Sequence, residues 1–206
     1  MKRLTSRILF AVVVAAMALL APAGTANAGL LSQSAGPCPS YPSTAVFSRW
    51  LDPMQYTLAP GGSFESATGL TLTGGAKIVS GNEPWRVRGA SDSKSVLLPR
   101  GATVTTGPIC VGLDKPTVRF FAMRPSFALL PLLSVEGLYV DRSGVTRSLP
   151  LVGVPLAGSK WSLQLPFLTT GALLELGDTT MMRFRIRALS GTWQVDDFYV
   201  DPMRRM

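Results

Sequence analysis

The chain has 206 residues, 20 Lys and Arg against 12 Asp and Glu, and 47% hydrophobic residues, but not one histidine. That absence excludes Ser-His and Cys-His nucleophilic sites, imidazole bases and histidine zinc sites together. Two cysteines are too few for a structural zinc site, and neither a Gly-x-x-x-x-Gly-Lys-[Ser/Thr] nor a Gly-x-Ser-x-Gly run occurs.

The N-terminus reads as an export signal. A basic start (Lys2, Arg3, Arg7), an apolar run from Ile8 to Leu20 and Ala26-Asn27-Ala28 are its three parts, with cleavage expected after Ala28. The apolar run is short of the roughly 20 residues that span a bilayer, and no later segment is long enough, so the mature form is expected without a membrane span. Three basic residues leave with the signal, so 17 face 12 acidic ones. That modest surplus, with export, argues against a nucleic-acid partner. Nothing in the sequence specifies an oligomeric state.

Residues 29–46 form a Pro-, Ser- and Gly-rich leader, expected to be extended. Cys38 and Cys110, an isolated pair in an exported chain, are expected to form a disulfide tying that leader down; two free thiols are the alternative. From residue 47 to 206 short runs rich in Val, Leu, Thr and aromatics alternate with Gly, Pro, Asn and Asp. Phe64-Glu65 and Gly69–Gly75 lead to Ala76–Val79, the alternating Trp85–Arg88, Lys94–Leu98, Ala102–Thr106 and Ile109–Gly112. Thr117–Met123, Leu132–Val140, Val145–Leu149, Trp161–Phe167, Met181–Leu189 and Thr192–Val200 complete the series. Asp141–Gly144 reads as a hairpin connection, and Leu168–Leu176 as one helical turn. The spacing predicts an all-β single jelly-roll β-sandwich behind a disulfide-tethered leader.

The closing run, Trp193-Gln-Val-Asp-Asp-Phe-Tyr-Val200, alternates like a strand but carries two carboxylates at its centre. Regular alternation puts Trp193, Val195, Asp197 and Tyr199 on one face and Gln194, Asp196, Phe198 and Val200 on the other. Either way one Asp enters apolar surroundings and needs a metal, an Arg or N–H donors. An ion pair plus a turn cap would satisfy the two acids as well as a cation would.

Phe64-Glu65, Gly69-Leu-Thr with its Gly-Gly turn, and the Asp-Asp closing strand resemble the ends of galactose-binding-like carbohydrate-binding modules. The Gly-Gly-Ala-Lys, Gly-Asn-Glu-Pro-Trp and Val-Asp-Pro stretches resemble a group of secreted bacterial jelly-roll proteins without an assigned activity. The resemblance implies a structural Ca2+ held by Glu65 with Asp196 or Asp197. Leu70 stands where the modules often carry Trp. Trp161, after Gly158-Ser-Lys, is the most loop-like candidate for a sugar platform. Arg183, Arg185 and Arg187 make a same-face stripe that would meet anionic glycans, or simply a solvated sheet face.

The expectation is a secreted, non-catalytic domain that binds extracellular carbohydrate or cell-envelope polymer and requires no cofactor beyond structural Ca2+. A structural or protein-interaction module at the cell surface is the alternative, and a carboxylate-based glycoside hydrolase the third reading.

Overall fold

The computed structural model describes residues 32–112, 117–127, 130–154, 158–168 and 179–201. The signal peptide, the last residues of the chain and most of the Leu168–Leu176 turn lie outside them. In chain order the strands are β1 (Thr57–Leu58), β2 (Thr71–Thr73), β3 (Lys77–Ser80), β4 (Lys94–Leu98), β5 (Thr103–Thr105), β6 (Ile109–Gly112) and β7 (Thr117–Met123). They continue as β8 (Leu132–Val140), β9 (Thr146–Val154), β10 (Ser162–Leu163), β11 (Phe167–Leu168), β12 (Thr179–Ser190) and β13 (Trp193–Asp201), with one short 3-10 turn at Ser48–Trp50.

Two antiparallel sheets pack face to face as a jelly-roll sandwich. The first has the order β10-β7-β13-β4-β3, with β1 on β13 and β11 on β7. The second has the order β2-β5-β12-β8-β9, with β6 on β12. Strand alternation makes the core: Val118, Phe120 and Ala122 of β7 face Met182, Phe184, Ile186 and Ala188 of β12, all buried. Phe198 joins the sheets, its ring 5.5 Å from Phe120 on its own sheet and 5.3 Å from Phe184 on the other.

Arg119 and Phe121, the alternate residues of β7, turn outward beneath a second apolar layer. Phe47, Tyr56, Phe121 and Tyr199 are buried there, with Trp50, Trp85 and Trp161 half-buried around them. One polar network pins this layer. Asp52 accepts from Arg119 Nη1 (2.5 Å) and Tyr56 Oη (2.8 Å), and Arg119 Nε donates to the Gln164 carbonyl (3.1 Å). Burial, then the hydrogen bond to Asp52, pushes the Tyr56 phenol up to about 12.

The leader is extended, as its composition requires, and threads along the ends of β8, β12 and β6. Gln33 N–H donates to Val140 O (2.7 Å), Ala35 N–H to Thr179 O (2.9 Å), and Thr180 Oγ1 to Gln33 O (3.0 Å). Cys38 and Cys110, 72 residues apart, form the disulfide, with Cα atoms separated by 5.5 Å. Such a loop is worth about 4 kcal/mol in the chain-entropy description. Reduction is expected to lower the thermal midpoint, measured by circular dichroism with and without dithiothreitol; an unchanged midpoint would show that the leader's hydrogen bonds suffice without the cross-link.

Two expectations are corrected. Trp85–Arg88 alternates in sequence but is not a strand: Arg86 sits at φ 49°, left-handed backbone that regular strand pairing does not accommodate, within the loop joining β3 to β4. The regular face assignment of the closing strand also fails. Between Asp196 and Tyr199, β13 gains one residue against Phe121 and Arg119 of β7, with Asp197 at φ 49°. This β-bulge flips the phase. Trp193 and Val195 face the core before it, and Phe198 and Val200 face the core after it.

Candidate functional site

Two places concentrate polar chemistry, one on each sheet. The first is built around the β13 bulge. The turn after β1 lies directly on it: Ala59 N–H donates to Phe198 O (3.0 Å), and Phe198 N–H to Gly62 O (2.9 Å). Gly62 is required there, because a Cβ would stand 2.6 Å from the Phe198 carbonyl oxygen. The turn ends in Phe64, buried in the core at φ 51° rather than in a strand, and in Glu65. The β3–β4 loop covers the bulge from the other side and contributes Glu83 and Asp92.

Five carboxylates therefore gather: Glu65, Glu83, Asp92, Asp196 and Asp197. Four already have partners. Glu65 Oε1 accepts the N–H groups of Ser93 (2.8 Å) and Lys94 (2.9 Å), which hold its carboxyl below the usual range despite some burial. Glu83 accepts from Trp85 N–H (2.5 Å) and Val87 N–H (2.6 Å), and Asp92 is ion-paired with Arg88. Asp196 accepts from Glu83 N–H (3.0 Å) and from Asp197 N–H (2.9 Å). The Asp92 oxygens lack a hydrogen bond but have that ion pair; Asp197 has neither, being 0% exposed with no hydrogen-bond partner on either carboxylate oxygen and no ion pair among the described residues.

Electrostatics sharpens the exception. Burial, reinforced by the neighbouring Asp92 and Glu83 charges, raises the Asp197 carboxyl to about 8. Burial, then the Asp197 charge beside it, raises Asp196 to about 9. Burial raises Glu83 and Asp92 as well. In this state the bulge holds more negative charge than it can neutralise, and it retains protons instead.

That arrangement tests the Ca2+ implied by the end motifs. Glu65 and Asp196 do not offer free oxygens, and among the described residues no group of three or more His, Cys, Asp or Glu is arranged to hold a metal ion. Asp197 alone of the expected trio fits a hard oxygen-seeking cation, with two buried, unpartnered oxygens in a negatively charged surrounding. Glu83 and Asp92 were missed in the sequence because their proximity to β13 depends on a loop whose path no local pattern announces.

The second place is the outer face of the second sheet. On β12 Met182, Phe184 and Ile186 point inward, so Arg183, Arg185 and Arg187 point out, as their alternation predicts. Register sets their neighbours. Arg185 lies between Thr105 and Glu136, Arg187 between Thr103 and Ser134, and Arg183 beside Leu138. Thr71 and Thr73 of β2 extend the row beyond Thr105 and Thr103. Arg185 forms an ion pair with Glu136. Arg183 and Arg187 are exposed and have no acidic partner among the described residues. A groove of about 500 Å³ opens on this face, lined by Thr71, Thr105, Leu138, Thr146, Met181 and Arg183. Among the described residues that line it, the one aromatic ring is that of Tyr139, itself buried.

Trp161 is not beside the arginines. It precedes β10 at the edge of the first sheet and is half-buried against the second apolar layer. Asp196 and Asp197 are both fully buried and do not face an open cleft. Among the described residues, no helix is long and apolar enough to cross a membrane.

No protein-family model matches the chain, and no curated protein matches it. Solved structures do share its fold. Superposition on the endo-1,4-beta-D-xylanase 10B of Clostridium thermocellum, solved as CBM22-1–GH10 modules complexed with xylohexaose, gives a TM-score of 0.52 at 9% identity, covering 71% of this chain and 28% of that one. The CBM22-1–CBM22-2 tandem domain from Paenibacillus barcinonensis gives 0.49 at 12% identity, covering 74% and 46%. A CBM61 module in complex with beta-1,4-galactotriose gives 0.41 at 15% identity, covering 69% and 96%. At such identities the likeness concerns architecture: this chain folds as an all-β jelly-roll sandwich of the kind found in carbohydrate-binding modules.

Proposed function

We propose that the chain is an exported, non-catalytic domain that binds extracellular or cell-envelope glycan on the outer face of its second sheet. The observation that carries this reading is the groove lined by Thr71, Thr105, Thr146 and Arg183 beside Leu138 and Met181. Hydroxyls and a guanidinium serve sugar hydroxyls, while Leu138 and Met181 offer an apolar floor to the C–H surface of a ring. The jelly-roll fold shared with the CBM22-1–GH10 structure complexed with xylohexaose supports the reading by analogy of architecture. Residues 1–28 as a cleaved signal, 29–46 as leader and 47–206 as the binding domain belong to the same proposal.

Affinity electrophoresis tests it. The protein is expected to be retarded in gels containing a bound polysaccharide, and Thr71→Tyr, which fills the groove from an exposed edge strand, is expected to abolish the retardation. Unretarded migration across neutral and acidic polysaccharides alike would reject glycan binding. A protein-interaction module is favoured by a different observation: Leu51 (94% exposed) and Leu165 (72% exposed) stand out from the opposite side of the sandwich.

The bulge is assigned a structural role in the same proposal. Asp197 serves as the anchoring carboxylate of a Ca2+ ion, with backbone carbonyls completing the shell, as calcium accepts readily. Glu65 and Asp196 shape the site through the amides they bind.

A further inference from the structure

Glycan binding on the second sheet leaves the chemical class of the glycan open, and the charge on the same face narrows it. An assignment of that class rests on the glycan reading and deepens it. Across the outer face of the second sheet, each charge is either paired or positive. Glu136 is taken by Arg185, and Asp141, at the groove's far end, by Arg147, whose side-chain Nε lies 2.7 Å from it. Asp141 also accepts from the Ser143 hydroxyl (2.5 Å) and from the N–H groups of Val145 and Ser143 (both 2.9 Å); the Ser143 hydroxyl first, then Arg147 and the amides, hold its carboxyl far below the ordinary range. Two guanidinium groups, Arg183 and Arg187, then remain without a counter-charge among the described residues.

They are four residues apart on one straight strand, about 13 Å at roughly 3.3 Å per residue. Thr103 and Thr73 continue the row of Arg187 to the sheet edge, and Thr105 and Thr71 continue the row of Arg185, which lies between the two free guanidinium groups. Neutral-sugar recognition by stacking would need exposed rings, and none of the described residues of this face supplies one. The three large indoles that are half-exposed, Trp50, Trp85 and Trp161, sit over the first sheet and pack on one another or on Phe121.

We propose that this face binds an anionic glycan, one that carries carboxylate or sulfate groups along its length, with Arg183 and Arg187 each receiving one acidic group. Arginine suits that task because its planar fork takes two oxygens of a carboxylate or sulfate at once. Arg185, fixed by Glu136, separates the two and keeps them from collapsing onto one acid. The row of hydroxyls then meets the sugar oxygens between charged groups.

Titration calorimetry of the full chain against three probes tests this: tetragalacturonic acid for carboxylates, a heparin-derived tetrasaccharide for sulfates, and neutral xylohexaose. At least one acidic probe is expected to bind ten or more times more tightly than xylohexaose, and to weaken as salt rises. Which acidic probe wins identifies the source of the charge. Arg183→Gln and Arg187→Gln are each expected to lower acidic-probe affinity about tenfold, matching the loss of one charge-assisted contact, with the unfolding midpoint unchanged. Arg183→Lys is expected to recover only part of the loss, because an ammonium cannot reproduce the fork. Xylohexaose binding as tightly as both acids, or acid binding indifferent to both Gln variants, would overturn the anionic assignment while leaving glycan binding intact. No binding of any probe would overturn the glycan reading itself, and this inference with it.

Discussion

In excess EDTA, the protein is expected to lose stability as pH rises through neutrality, and Ca2+ is expected to restore it. The sign follows from the bulge. Asp196 and Asp197 both have folded-state values above the ordinary 3.8, about 9 and about 8. A group raised in the folded state contributes its full stability below its unfolded value and loses it as pH climbs through the folded one. The window of decline therefore runs from about 4 to about 9. The two carboxyls are coupled, so the loss belongs to the pair; a loss of a few kcal/mol in a domain of this size lowers the thermal midpoint by on the order of 10 °C. A cation beside Asp197 favours the charged form, lowers its value and flattens the curve. Asp197→Asn separates the two states in one experiment. Asparagine tolerates the left-handed backbone and cannot ionise, so this variant outlasts the parent in alkaline EDTA and falls behind it in calcium. Coincident alkaline midpoints with and without calcium in the parent would remove the ion from the proposal and leave the bulge as a proton-holding pair.

Breaking the Asp52–Arg119 pair is the second large effect. Arg119 is buried among Phe47, Tyr56 and Gln164, its guanidinium carbon 5.0 Å from the centre of the Phe47 ring. Asp52→Ala removes the carboxylate that both Arg119 Nη1 and the Tyr56 hydroxyl donate to. A loss of about 3–5 kcal/mol is expected in urea unfolding. Arg119→Met with Asp52→Ala removes both charges and keeps an apolar stem under the ring, so the double variant is expected to be more stable than Asp52→Ala alone. A double variant no better than the single would mean that the pair acts through geometry and not charge. The carboxylate of Asp52 also accepts from Met54 N–H (3.1 Å), so part of the cost falls on the 52–56 segment's own path.

Much of the sandwich was legible in the sequence because turn residues bracket its strands. Lys94–Leu98, Ile109–Gly112, Thr117–Met123 and Leu132–Val140 coincide with β4, β6, β7 and β8. Each ends at a Gly, Pro or Asp, or begins just after one. Trp85–Arg88 alternates and yet fails because Arg86 adopts left-handed backbone, which composition does not reveal. The arginine stripe was read correctly because β12 is regular from Met181 to Ala188, its irregularity falling between Ala188 and Ser190. Its neighbours were not legible. That Arg185 meets Glu136 and Thr105 is a matter of register between strands far apart in sequence. The acidic site was half visible: two Asp side by side mid-strand signalled trouble with alternation, but the one-residue bulge that resolves it belongs to the pairing with β7 and not to β13 alone.

β13 lies at the middle of the first sheet, hydrogen-bonded to β4 on one side and β7 on the other. It is also the last of the described strands in chain order. The leader finds its partners at Val140, Thr179 and Thr180, more than a hundred residues further along. Neither sheet can assemble around its centre, nor can the leader dock, until residues 179–201 are available. Native contacts of such sequence separation are slow to form. With this order of strands the two sheets and the leader close together in one late step, and not strand by strand.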